Sequence, residues 1–242
     1  MTTAAKRICL WSGPRNVSTA LLYSFAQRGD TEPVDEPLYA HFLRVSDADH
    51  PMRELCMAAQ DSDGERVVRD VILGPRSRSV VFFKQMAHHL VDLDLGFMRH
   101  TSNVFLTRDP EQMLPSLQKR IGRPTLRDTG FRRQCEILAM MEGWGQTPAV
   151  VDSRDLLLNP PKVLSALCRH LGIPYEEAML RWPAGPKKFD GAWAAHWYAN
   201  VHCSTGFLPF SPKTAPFPKE LLPLLDECRP YYAELLRRAI RP

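Results

Sequence analysis

Short apolar runs alternate with segments of helical period along most of this chain. Residues 7–11 (Arg-Ile-Cys-Leu-Trp) form a compact, β-prone run. A turn-rich stretch, Ser12-Gly13-Pro14-Arg15-Asn16-Val17, follows it. From Ser18 the apolar positions fall at Leu21, Leu22, Phe25 and Ala26, one stripe of a helix that Gly29-Asp30 ends. Thr31 to Val34 reads as a second strand, closed by Asp35-Glu36-Pro37. Ser79-Val80-Val81-Phe82-Phe83 reads as a buried strand ending on Lys84, and Asn103 to Thr107 as another, ending on Arg108-Asp109-Pro110. Asp109 suits a helix N-cap with Pro110 at the first helical position. Thr147 to Val151 gives a further strand. Asn159-Pro160-Pro161 opens a helix with Val163, Leu164, Leu167 and Leu171 on one face, and Gly172 closes it. Residues 38–78 read as mixed helices and loops covering the sheet. Residues 183–218 are Pro-rich and irregular, and a partly helical tail follows.

Strands alternating with helices predict an α/β fold, a three-layer αβα architecture with a central parallel sheet. No repeat, low-complexity segment or linker divides the 242 residues, so one domain over 1–242 is expected. Hydrophobic residues are 44% and charged residues 24% of the chain, which excludes wholesale disorder. The strongest apolar run, Val80 to Phe83, is far shorter than the roughly 18 residues of a membrane span, and the N-terminus lacks the apolar region of a secretory signal. A cytoplasmic protein with no membrane association is expected. The six cysteines lie at least 25 residues apart, with no zinc-ribbon spacing, which fits reduced thiols rather than metal binding by cysteine.

The net charge of +4 is too small to argue for nucleic acid, but it is unevenly spread. Lys119, Arg120, Arg123, Arg127, Arg132 and Arg133 face a single acid, Asp128, between residues 119 and 133. Such a local positive field suits an anionic ligand.

In an open parallel sheet, ligands sit at the carboxyl ends of the strands. A loop there that runs into a helix N-terminus offers free N–H groups and the positive end of the helix dipole. Arg15 adds a charge, and Ser18 and Thr19 add hydroxyls, so a phosphate group is the expected guest. The ATP-binding form of such a loop places Gly-Lys before its Ser/Thr. Val17-Ser18-Thr19 lacks both, and Lys84 stands where a metal-binding Asp is expected.

Pro14-Arg15-Asn16-Val17-Ser18-Thr19 resembles the 5′-phosphosulfate loop of sulfotransferases that use 3′-phosphoadenosine 5′-phosphosulfate (PAPS), matching at Pro, the basic residue and the two hydroxyls. It departs from that loop at Asn16 and at Val17, where Gly is usual. A β-branched residue disfavours positive φ, so a different local path is expected there. Arg108-Asp109-Pro110 with Ser116 resembles the family's 3′-phosphate site. The seven residues from Asp109 to Ser116 span about two helical turns, which returns Ser116 to the N-cap face. Residues 152–160 with Leu171-Gly172-Ile173-Pro174 resemble its strand–loop–helix signature. Val34-Asp35-Glu36-Pro37-Leu38 resembles the Glu-Pro of carbohydrate and bacterial sulfotransferases. The N-terminal stretch also looks like the sulfotransferase-like domain attached to certain branched-chain aminotransferase-like proteins.

The resemblance implies the P-loop nucleotide-hydrolase-like sulfotransferase fold and transfer of a sulfuryl group from PAPS, without metal, to a hydroxyl or amine of a small-molecule acceptor. It implies a donor site of Arg15, Asn16, Val17, Ser18, Thr19, Arg108 and Ser116, with Ser204-Thr205-Gly206 as a late loop closing over it. Arg15 and the loop N–H groups would absorb charge on the leaving oxygen. Lys84 would contact that oxygen. Glu36, just after the second strand, is the first candidate for the base, with His88 as its rival. His41, His88 and Trp193 are candidate acceptor-pocket residues. Two other readings stay open: a metal-dependent P-loop kinase of small molecules, and a non-catalytic nucleotide-binding relative.

Overall fold

The computed structural model describes residues 5–46, 48 and 50–241. Five strands form one parallel sheet: β1 (Lys6–Ser12), β2 (Thr31–Asp35), β3 (Val80–Met86), β4 (Ser102–Thr107) and β5 (Ala149–Asp152). Their order across the sheet is β2-β3-β1-β4-β5, so β1 has β3 on one side and β4 on the other. The predicted strands are all present. The third runs two residues beyond Lys84, to Met86, because Leu10, Trp11 and Ser12 continue to pair with it. Lys84 is therefore an interior strand residue rather than a strand end.

The period-2 alternation of the strands divides the core in two. Cys9, Trp11, Val81, Phe83 and Phe105 face one side. Ile8, Leu10, Phe82, Val104 and Leu106 face the other. Helix α1 (Ser18–Phe25) and the helix Pro160–Leu171 cover the second face with Leu21, Leu22, Phe25, Val163, Leu164 and Leu167. Helices Pro110–Ile121, Phe131–Gly143 and Leu222–Arg237 cover the first. The result is the expected three-layer αβα architecture.

The caps follow the sequence logic. The Asp109 carboxylate accepts from Glu111 N at 2.8 Å, with Pro110 opening the helix. Asn159 accepts from Lys162 N, and Gly172 ends that helix in the left-handed conformation. Residues 38–78 contain the helix Tyr39–Val45, the helix Arg53–Ala59 and a short α-to-π turn, Gly64–Ile72. A third apolar cluster joins Tyr39, Phe42, Leu43 and Cys56 to Trp193 and Tyr198 of the irregular late segment. That cluster brings the late segment over the carboxyl ends of β1, β2 and β3. Among the described residues, no helix is long and apolar enough to cross a membrane.

Candidate active site

A cavity of about 390 Å³ opens at the carboxyl ends of the strands. One end is built on the loop after β1. Gly13 is demanded by packing, since a Cβ there would lie 2.3 Å from the carbonyl oxygen of Thr129. Asn16 fixes the loop from beneath. It donates through Nδ2 to the Leu106 carbonyl, and its own carbonyl accepts from Ser153 Oγ. Arg15 and Val17 sit at φ 59°, in the left-handed region. The expectation of a different path at Val17 is thereby corrected: valine adopts the conformation that glycine would take more easily. Val17 is also the N-cap residue of α1 and has no side chain able to cap. Among the described residues the first-turn N–H groups find no side-chain acceptor, and no acidic residue stands in that turn.

Arg15, Arg108 and Ser116 meet at this end. Arg15 Nε donates to Ser116 Oγ at 2.9 Å, and Arg108 Nη1 donates to the Arg15 carbonyl at 2.9 Å. Ser116 is reached from the adjacent helix, two turns after Asp109, as its spacing requires. Neither arginine makes an ion pair among the described residues. Burial pushes the pKa of the Arg15 guanidinium down, and Arg120 and Arg108 add to the effect. Burial also lowers Arg108, against the pull of Asp109 and Asp152. Lys213 is lowered by burial and by Arg108, Lys119 and Arg15, so it belongs to the same positive field. Half-buried cations that make no ion pair favour an anion beside them. The two phosphate places foreseen along the sequence thus adjoin on one wall, with Arg15 reaching from the loop to Ser116.

The other end is organised around β2 and β3. Lys84 Nζ, 2% exposed, donates to Asp35 Oδ1 at 3.0 Å, to Tyr198 Oη at 2.6 Å and to Glu36 Oε1. Its three donors are all engaged in tethering the two carboxylates to the Tyr198 hydroxyl, and its side chain lines the cavity. Burial would lower the Lys84 pKa, but Asp35 and Glu36 outweigh it and hold it well above its ordinary value. Glu36 sits at φ 41°, and its side chain is buried on the cavity wall. Burial pushes its carboxyl above the usual range, and the nearby Lys84 ammonium opposes that rise. A raised carboxyl is a stronger base than an ordinary carboxylate, which suits it to taking a proton.

His88, Trp193 and Ser204 also line the cavity. Burial pushes the His88 imidazole down to about 3, so it is neutral and a weak base there. Trp193 donates to Tyr198 Oη at 3.1 Å, bracing the phenol that holds Lys84. Ser204 Oγ accepts from Trp182 Nε1 and donates to the Val201 carbonyl, so its bonding is internal. Two candidates lie off the wall. His41 Nε2 donates to the Val91 carbonyl at 2.7 Å, and its ring packs so closely on Gly64 that a Cβ there would lie 2.6 Å from Nδ1. Thr205 is exposed, and its carbonyl accepts from Trp182 N. Sequence reasoning missed Asp35, Tyr198, His89 and Lys213. The pairing of Asp35 with Glu36 and of His88 with His89 was the available signal for two of them.

A family model described as a sulfotransferase domain matches residues 6–239. The chain belongs to that family. The sulfotransferase domain is 40% identical over 234 residues to branched-chain-amino-acid aminotransferase-like protein 1 of Arabidopsis thaliana, covering 96% of this chain and 41% of that protein. Protein 2 of the same name and plant is 39% identical over 225 residues, covering 92% of this chain and 40% of its own. The chain thus spans about two fifths of the curated relatives it matches. Among solved structures, it superposes on the sulfotransferase domain from the curacin biosynthetic pathway with a TM-score of 0.54 at 14% identity, covering 100% of both chains. A sulfotransferase from Alicyclobacillus acidocaldarius gives 0.52 at 15% identity, covering 98% and 94%. At these identities the structural likeness concerns the fold, which is that of the sulfotransferases.

Proposed function

We propose that the sulfotransferase domain moves a sulfuryl group from PAPS to a hydroxyl or amine of a small-molecule acceptor, rather than to a nucleic acid or a membrane component. The observation that carries this reading is the meeting of Arg15, Arg108 and Ser116 with the uncapped N-terminus of α1, on the cavity that Glu36 also lines. Two guanidinium groups and a set of free N–H donors suit a ligand with more than one phosphoryl group. The donor, when bound, supplies a sulfuryl group already activated by a phosphate leaving group. Arg15 and the first-turn N–H groups of α1 offset charge gathering on that leaving phosphate. Glu36 takes the proton of the attacking hydroxyl or amine. Lys84 and Tyr198 hold Glu36 and Asp35 in place while this happens.

The test is thermal unfolding with adenosine 3′,5′-bisphosphate in the absence of Mg²⁺. Saturation at a hundredfold over Kd raises stability by about 2.7 kcal/mol. In a domain of this size that is a Tm rise of roughly 5–11 °C. Arg108→Ala removes most of the rise. A rise with ATP·Mg²⁺ and none with the bisphosphate would overturn the reading in favour of a kinase.

A further inference from the structure

His89 is buried on the cavity wall, and its Nδ1 is sealed from solvent without a hydrogen-bond partner. A buried, unpartnered ring nitrogen is costly and calls for an explanation. Ring stacking holds the plane of the imidazole on the cavity wall. The ring is stacked between Tyr39, at 4.8 Å and 1° between planes, and Phe42, at 4.5 Å and 18°. Its Nδ1 lies 3.9 Å from Glu36 Oε2. Glu36 is equally constrained. Oε1 is bound by Lys84, its N–H donates to the Lys84 carbonyl, and its carbonyl accepts from Gln60 Nε2. The two groups thus face each other just beyond hydrogen-bond length, and a side-chain shift of about 1 Å joins them.

An ionised carboxylate only accepts, so attraction requires the proton on Nδ1. We propose that Glu36 and His89 act as a dyad, in which Nδ1–H donates to Glu36 Oε2 and His89 is the positioning residue that keeps the carboxylate ionised. Its catalytic meaning rests on the sulfuryl-transfer reading; the contact itself does not. In that reaction the acceptor O–H or N–H bond breaks and its proton goes to Glu36. The acceptor–sulfur bond forms, and the sulfur–oxygen bond to the leaving phosphate breaks. His89 keeps its own proton and stays neutral, as its burial favours. The other titratable groups facing Glu36 are Asp35, Lys84, Tyr39, Cys56 and Tyr198; those facing His89 are His88, His50, His41 and Lys84.

Carbon-13 NMR of glutamate-labelled protein tests this, with the Glu36 signal assigned by Glu36→Gln. Loss of a charge-assisted bond in His89→Phe, which keeps the ring stack, raises the Glu36 titration midpoint by about one pH unit. His89→Asn, whose amide N–H stands near the Nδ1 position, restores most of that shift. His89→Gln, whose amide reaches the far side of the ring position, behaves like the Phe variant and serves if the latter does not fold. In turnover, His89→Phe lowers kcat about tenfold near neutral pH, moves the acid limb of the kcat profile up with the midpoint, and leaves the donor KM unchanged. A Glu36 midpoint that does not move in the Phe and Gln variants overturns the dyad, even if the bisphosphate binds. Failure of the bisphosphate to bind would instead sink the donor assignment and leave the NMR result to decide the contact.

Discussion

The two ends of the cavity solve opposite electrostatic problems. At the loop end, Arg15 and Arg108 are half-buried and make no ion pair among the described residues, so their charge is available to a ligand. At the strand end, Asp35, Glu36 and Lys84 are buried and bonded to one another, so their charge is used internally to fix a carboxylate. The first end is built to bind and the second to hold still. Removing a cation should therefore have very unequal consequences for stability at the two places.

The largest effect is expected for Lys84→Met. It leaves two carboxyl groups in a dry site without their ammonium. Breaking a buried pair from one side costs about 3–5 kcal/mol. That is a Tm loss of roughly 6–20 °C in a domain of this size. Arg108→Ala, without nucleotide, should cost under about 1 kcal/mol, because it removes one hydrogen bond to the Arg15 carbonyl and leaves no buried charge unpaired. Urea midpoints of the two variants, measured side by side, check the contrast. Equal losses would mean that the two ends do not differ as their bonding indicates.

A smaller effect separates the ends by pH. The strand end carries His88, neutral through burial, with a pKa near 3. In the unfolded chain that imidazole titrates near 6.5. The folded pKa is the lower one, so its contribution to stability is present above pH 6.5 and is lost as the pH falls towards 3. Between pH 7 and pH 5 the loss from His88 alone is about 2 kcal/mol, and His89 acts in the same direction. The loop end, with Arg15, Arg108, Lys213 and the Ser116 hydroxyl, has no imidazole and contributes no such slope. Denaturant titrations at pH 7 and pH 5 should show the loss in the wild type and a reduced loss in His88→Gln. An identical slope in both would remove His88 from the account.

The loop end was also the more legible in sequence. Its parts lie in contiguous motifs, Pro14 to Thr19 and Arg108 to Ser116, whose spacing maps directly onto a strand end and a helix face. The strand end is assembled from residues 35–36, 84, 89 and 198, which no local pattern joins. Lys84 looked like a strand-end cation because composition cannot say how far β3 pairs with β1. Its extension to Met86 is a tertiary fact. Tyr198 sat in an aromatic run that reads equally well as core packing, and its hydroxyl contact with Asp35 becomes visible only when the late segment folds over β2. His41 failed as a cavity residue for the same reason, since its ring is committed to Gly64 and the Val91 carbonyl. The strands, the caps and the layer order were legible because they follow from period and from cap chemistry.

The smallest effect concerns a place in the loop where local propensity and structure disagree. Val17 holds φ 59° as a β-branched residue, a conformation that costs an L-residue roughly 1–3 kcal/mol. Val17→Gly removes that strain. It also frees the unfolded chain by about 0.5–1 kcal/mol and gives up the packing of the valine against the α1 side of the core. These contributions oppose one another at similar size, so the net change in stability should stay within about 1 kcal/mol. Bisphosphate affinity should change less than twofold, because glycine adopts the same left-handed path and the N–H groups of α1 keep their direction. Val17→Pro is the sharper counterpart. Proline cannot reach positive φ, so it should abolish nucleotide binding while Arg15, Arg108 and Ser116 all remain in the sequence. A Pro variant that binds as well as the wild type would show that the loop path, unlike its charges, is irrelevant to the anion site.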